Sequence, residues 1–307
     1  MNANKSIAIL LSILSALFFA VTFVFNRQIS LKGGSWIWSS SLRYFWMVPF
    51  LLSVVLLKKQ LKHLHLEISK QPLQWILWST VGFGIFYAPL TIASAYAPSW
   101  LVASTYQITI IAGMLFSPLI NKNNFKKPLS VKTFALSFII LLGVFLMQLS
   151  QAKTVNRMEL FFGIVPVLIA AFAYPLGNRK MMQITDGNLT ALQRTLGMTL
   201  CSLPFWGILS IYGMASQIFP NQDQIFQTLI IALCSGVVAT TLFFMATDKV
   251  RKDEKSLAAV EASQSAEVVF TLIGEILILN AMLPNTYSFI GIILIIIGMT
   301  LHSIKNQ

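Results

Sequence analysis

The chain has 307 residues, of which 56% are hydrophobic and 10% charged, against about 25% charged in an ordinary soluble domain. So small a polar supply cannot cover a water-exposed surface, which excludes a soluble enzyme and points to an all-α polytopic membrane protein. The net charge of +12 does not indicate a nucleic-acid partner, because Lys and Arg fall almost wholly in short gaps between apolar runs and build no basic face.

A helix needs about 20 mainly apolar residues to cross the hydrocarbon core. Ten stretches qualify in chain order: Ile7–Phe25, Trp36–Leu57, Leu73–Tyr96, Trp100–Ile120, Val131–Leu149, Leu160–Gly177, Leu192–Gly213, Ile225–Thr247, Ser256–Leu279 and Tyr287–Ser303. The first reads as a retained helix, since no small-residue cleavage site precedes Asn26-Arg27. With the N-terminus in the cytoplasm, sixteen basic residues lie in cytoplasmic segments, among them Lys58, Lys59, Lys122, Lys126, Lys127, Arg179 and Lys249. Only Arg27, Lys32, Lys153 and Arg157 fall outside. This asymmetry predicts a cytoplasmic-membrane protein with both termini inside and an even number of spans.

Displacing the chain against itself gives individually weak matches that together favour a repeat over the alternative that Asn-Arg simply ends any span. Asn26-Arg27 falls on Asn178-Arg179, Arg43 on Arg194, and the small-residue patch Ser79 to Gly82 on Leu233 to Gly236, all at offsets of 151–154 residues. The pattern predicts two five-helix halves, 1–152 and 153–307, and an odd number of spans per half makes the second half enter the membrane inverted. Arg43 and Arg194 open the second span of each half; with Asn26, Asn178 and Glu275 they are candidates for structural or gating roles.

Seven of the ten acidic residues lie in gaps or at span ends, whereas Glu261, Glu267 and Glu275 share the ninth span. Each costs about 2.5–3.5 kcal/mol at the centre of a bilayer on insertion scales, so this helix must face protein or water. On a continuous helix Glu261 and Glu275 stand roughly 21 Å apart along the axis, with Glu267 about 9 Å from Glu261. That mid-depth position makes Glu267 the best candidate to bind and release a proton; the alternative is a carboxyl locked to Arg43, Arg194 or a hydroxyl. Gln264 lies between Glu261 and Glu267, and the neighbouring alanines and serines favour close helix approach. The fourth span supplies neutral groups at the corresponding depth, Tyr106 and Gln107 among them.

Phe18, Phe19, Phe23, Tyr87, Tyr96, Tyr106 and Tyr174 could line a cavity for flat or cationic solutes or serve as packing. Trp36, Trp38, Trp75, Trp78 and Trp100 lie near span ends and are expected as interfacial anchors. Pro89, Pro175 and Pro204 could kink their spans. His63 and His65 have no further ligand nearby, Cys201 and Cys234 lack metal or redox spacing, and no phosphate loop, serine elbow or zinc motif appears. No cofactor, metal or enzymatic activity is therefore expected.

Ten spans as five plus five, arginines opening spans two and seven, and the run AVEASQSAEVVFTLIGE over 259–275 resemble the drug/metabolite transporter superfamily, in particular its multidrug resistance efflux branch. Gly274-Glu275 is similar to the Gly-Glu that closes the penultimate helix of EamA-type repeats, whereas the fourth span ends in Phe116-Ser117-Pro118. Small four-helix exporters of the superfamily use a glutamate in their first helix, and the first span here has no acid. The resemblance implies export of small organic compounds through a central cavity by alternating access. The residues suggest proton coupling at Glu267 with Glu261 as a cytoplasmic-side relay. Export or facilitation of an endogenous metabolite such as an amino acid is the alternative, and a membrane scaffold without transport is the third.

Overall fold

The computed structural model describes residues 3–120, 131–151 and 157–305, and among these it is helical without strands. Lys122, Lys126, Lys127 and Lys153 of the charge count lie outside the described residues. Helix α1 covers Ala3–Leu31, α2 Trp36–Leu57, α3 Leu61–Lys70, α4 Pro72–Tyr96, α5 Ser99–Tyr106, α6 Thr109–Ile120 and α7 Val131–Gln151. After these come α8 (Arg157–Thr185), α9 (Ala191–Ala215), α10 (Gln222–Val250), α11 (Glu254–Ser263), α12 (Ala266–Leu279) and α13 (Thr286–Lys305). Among the described residues, seven stretches are long and apolar enough to cross a membrane: α1 from Lys5, α2, α4, α8, α9, α10 and Ser256–Leu279. Shorter apolar segments occupy Phe138–Met147 in α7 and Thr286–Gly298 in α13.

Helix α1 shows why the bundle belongs in lipid. Leu10, Leu14 and Leu17 are exposed on one face, while Ser12, Ser15, Thr22 and Asn26 are buried on the other, the reverse of a soluble amphipathic helix. The buried hydroxyls bind neighbouring backbone: Ser12 Oγ donates to the Val260 carbonyl at 2.8 Å, Ser15 Oγ to that of Ala239 at 2.8 Å, and Thr22 pairs with Ser235. Such contacts join membrane helices where no hydrophobic force draws them together.

Helices α1 and α8 each have 29 residues. Each is followed by a long helix and then, after the short α3 in the first case, by one with an internal π segment, Thr80–Ile85 in α4 and Ala232–Ala239 in α10. Two residues beyond α2 and α9 the chain turns through left-handed Lys59 (φ 55°) and Gln217 (φ 56°). Packing is reciprocal: α1 lies on α10, α11 and α12, and α8 lies on α4, α5 and α6, while α2 meets α9 and α7 meets α13. At the crossing of α8 and α4 the backbones nearly touch, because a Cβ placed on Gly177 would fall 2.3 Å from Gly82 Cα.

The link between α2 and α4, expected as a gap, is the amphipathic helix α3, with Leu64 buried and Leu66 exposed. Gln60, just before it, accepts from Gln193 Nε2 through its carbonyl at 3.0 Å. At the opposite end, Trp38 Nε1 donates to the Ile218 carbonyl at 2.6 Å, and Gln224 Nε2 to that of Ser35 at 2.6 Å. Gaps that the charge pattern assigns to one face therefore meet in space.

Several expectations need correction. Trp38, Trp75 and Trp100 are buried in protein rather than placed as surface anchors, with Trp75 packed against Gly197. Arg27 is not a gap residue: it lies in α1 and donates to the carbonyls of Ser94 at 3.2 Å and Ala95 at 3.0 Å, near the end of α4. Arg179 is likewise inside α8 and buried, so it does not belong among the loop charges. The placement of Pro89, Pro175 and Pro204 inside helices agrees with the sequence reading.

Candidate functional site

The fourth and ninth spans, expected as continuous helices, are both broken, so the axial distances of an ideal helix do not hold for the acids. Between α5 and α6, backbone bonds shift to i−3 spacing: Gln107 N–H to Ser104, Ile108 to Thr105, Ile110 to Gln107 and Ile111 to Ile108. Between α11 and α12 the same pattern runs Gln264 to Glu261, Ser265 to Ala262, Glu267 to Gln264 and Val268 to Ser265. Neither break contains Pro or Gly. Each instead carries hydroxyls that bond back to the preceding turn, with Ser104 Oγ on the Trp100 carbonyl at 2.5 Å, Thr105 Oγ1 on Leu101 at 2.8 Å, Ser263 Oγ on Val260 at 2.8 Å and Ser265 Oγ on Ala262 at 2.6 Å. Such back-bonding bends helices and competes with the regular ladder. Gln264 Nε2 ties the second break to α1 through Ser12 O at 2.8 Å and Ser12 Oγ at 2.9 Å.

The two breaks meet at Glu267. Its carboxylate, in the first turn of α12 and 2% exposed, accepts from Gln107 Nε2 at 2.9 Å. Gln107 Nε2 also donates to the Ala103 carbonyl at 3.0 Å, and its Oε1 has no partner. The carboxyl is thus joined to a neutral amide, not to Arg43, Arg194 or a hydroxyl among the described hydrogen bonds.

The other two acids are held differently. Glu261 forms a two-point ion pair with Arg179, Nη2 to Oε2 at 2.6 Å and Nε to Oε1 at 3.1 Å. Glu275 caps α5: Ser99 N–H donates to Oε1 at 3.1 Å and Trp100 N–H to Oε2 at 3.0 Å. The residue preceding α5 is Pro98, which has no side-chain oxygen to satisfy those amides. Gly274-Glu275 therefore serves a helix terminus on a neighbouring element.

A cavity of about 50 Å3 runs between the helices; at roughly 10–15 Å3 per water it admits a few water molecules. Its wall includes Glu261, Gln264, Glu267, Tyr87, Tyr106, Tyr174, Asn178, Arg43, Arg179 and Arg194. Tyr174 supplies one aromatic wall with Phe86, 4.5 Å between ring centroids, and Tyr106, 6.2 Å away. Asn26 Nδ2 supports the cavity from behind by donating to the Tyr87 hydroxyl at 3.0 Å. The Tyr174 hydroxyl lies beside the Asn178 amide, yet neither it nor either Asn178 polar atom completes a hydrogen bond of ordinary geometry.

The cavity arginines are not equivalent. Arg194 donates to Asp248 Oδ1 at 2.6 Å and stacks over Phe244 at 3.9 Å. Arg43 lies 4.1 Å over the Tyr87 ring, and its Nη1 meets the Tyr44 hydroxyl at 3.0 Å. The predicted candidates thus converge on one chamber, with Gln107 and Asn26 behind its wall and Glu275 outside it. Sequence reasoning missed Arg179 as the partner of Glu261, because Asn178-Arg179 looked like the end of a span. No group of three metal-ligating side chains occurs among the described residues.

A family model described as "EmrE: Putative multidrug resistance efflux transporter" matches residues 6–307. The chain is 50% identical to the uncharacterized protein YjlA of Bacillus subtilis (strain 168), over 98% of this chain and 95% of that one. It is 44% identical to an uncharacterized 42.1 kDa protein of Shouchella clausii, encoded in the 3' region of an intracellular alkaline protease, over 85% of this chain and 70% of that one. A crystal structure of 13% identity superposes with a TM-score of 0.69, covering 98% of this chain and 97% of the other. That likeness concerns the fold.

Proposed function

Since the chain belongs to the multidrug resistance efflux transporter family, whose members are membrane transporters and not enzymes, we propose that it exports small organic compounds across the cytoplasmic membrane by proton-coupled alternating access. In this reading ten spans form two inverted halves, 1–152 and 153–307, with both termini in the cytoplasm. The chamber between the halves, which in this structure admits a few waters, widens in the alternating-access cycle to take the solute. Matching π segments, matching helix breaks and reciprocal packing support the repeat, and inverted repeats place their sites where such interrupted helices meet.

The observation that carries the coupling proposal is Glu267, a buried carboxylate in the cavity wall whose described hydrogen-bond partner is a neutral amide. A group so placed exchanges a proton for a cationic solute: with the proton bound it releases the solute, and without the proton it attracts it. Glu261, already paired with Arg179, stands nearby on the same wall and relays protons when that pair opens. Proteoliposomes test this directly. Glu267→Gln abolishes solute-driven proton movement if the assignment holds, and leaves it intact with its pH dependence unchanged if the assignment fails.

Export of an endogenous metabolite draws support from the three arginines lining the chamber, which a site for lipophilic cations alone has no use for. A scaffold without transport has no use for a polar chamber whose wall leaves several buried polar atoms without partners.

A further inference from the structure

The chamber is lined by three arginines and two glutamates. Two arginines are neutralised by direct contact, Arg179 by Glu261 and Arg194 by Asp248, each pair closing to 2.6 Å. Arg43 differs. It is 2% exposed, its Nε has no hydrogen-bond partner, and no carboxylate approaches within ion-pair distance among the described residues.

Its surroundings hold it firmly without cancelling its charge. Tyr87 covers the guanidinium at 4.1 Å, and Tyr44 receives one of its N–H groups. Tyr44 is itself clamped, stacked on Trp206 at 4.4 Å, with its hydroxyl donating to the Phe83 carbonyl at 3.3 Å. Aromatic faces attract a cation, but they do not replace an anion for a charge removed from water. A rigid, planar, buried guanidinium with free donor capacity is the geometry that recognises a carboxylate or another planar oxyanion.

The rest of the wall fits the same ligand. The Tyr174 hydroxyl and the Asn178 amide lack good hydrogen bonds in the same chamber, while Phe86, Tyr106 and Tyr174 offer apolar faces to a carbon skeleton. We infer that Arg43 is the anion-binding half of the solute site, so that the compounds taken carry a carboxylate or comparable oxyanion in addition to any cationic group. This rests on the reading of the chamber as a solute site and narrows its substrate class from lipophilic cations to zwitterions.

Equilibrium dialysis of the purified protein in detergent with radiolabelled phenylalanine, phenethylamine and 3-phenylpropionate tests it, since these probes share a ring and carry both charges, the ammonium alone and the carboxylate alone. Phenylalanine should bind about tenfold or more tightly than phenethylamine, the range expected for a hydrogen bond to a charged group. Arg43→Gln should bring that ratio to about one, and Arg43→Lys, which keeps the charge but loses the planar fork, to an intermediate value. Circular dichroism and size-exclusion chromatography check folding; if Arg43→Gln does not fold, the ratio in Arg43→Lys decides. Equal affinities in the unmodified protein, no binding of either carboxylate, or a ratio unchanged in the variants overturns the inference. Carboxylate preference without flux into proteoliposomes would refute transport and keep the anion site. Proton-driven flux of phenethylamine without carboxylate preference would do the opposite.

Discussion

Glu267 and Gln107 come from different halves of the chain, 160 residues apart, and meet at 2.9 Å where two helices break. Their contact makes the proton proposal specific, because an acid facing an amide keeps freedom to bind a proton that an acid facing an arginine gives up. Glu261 illustrates the contrast. Removing Arg179 strands a largely buried carboxylate, 14% exposed at its side chain, so Arg179→Met should destabilise the protein by up to about 3–5 kcal/mol, whereas Arg179→Met with Glu261→Met should recover most of that loss. Thermal melting in detergent reads both; equal losses in the single and double variants would contradict the ion-pair account. The three acids were legible as a set because acids inside an apolar span are conspicuous. Their division into a pair, a cap and an amide partner was not, because each partner is distant in sequence: Arg179, Ser99 and Gln107.

The breaks at Gln107-Ile108 and Gln264-Ser265 contain neither of the residues usually read as helix breakers. Their mark in the sequence is a cluster of Ser, Thr and Gln, which also suits an unbroken membrane helix, and so both spans read as continuous. The π segments carry little trace beyond the small-residue patches noted at matching offsets. One consequence is visible at Gly177, where any side chain meets the backbone of Gly82. Gly177→Ala must push α8 away from α4 and should cost about 1–3 kcal/mol or more, lowering the melting temperature, while Gly207→Ala, which meets open space, should leave it nearly unchanged. Equal melting of the two variants would show that the close approach is not limiting.

For the whole molecule, composition and apolar run length suffice to indicate a multi-pass helical membrane protein, because those quantities depend on no tertiary contact. The proposed repeat is legible in the sequence only as scattered matches; the structure adds a recurring order of long helix, π segment and broken helix that supports it. The charge asymmetry assigns α3 to the cytoplasm and the start of α10 to the outside. Lys62→Cys and Gln222→Cys, both at exposed positions, should therefore react oppositely with a membrane-impermeant maleimide on intact cells. Gln222→Cys should label directly and Lys62→Cys only after permeabilisation, and the reverse order would invert the proposed topology.

Coupling through Glu267 is the central claim for transport, and it is tested most directly in proteoliposomes carrying an imposed pH gradient with phenylalanine as solute. The unmodified protein should accumulate phenylalanine against its gradient, and Glu267→Gln should abolish the accumulation driven by the pH gradient. Accumulation by Glu267→Gln at the rate and pH dependence of the unmodified protein would contradict the account.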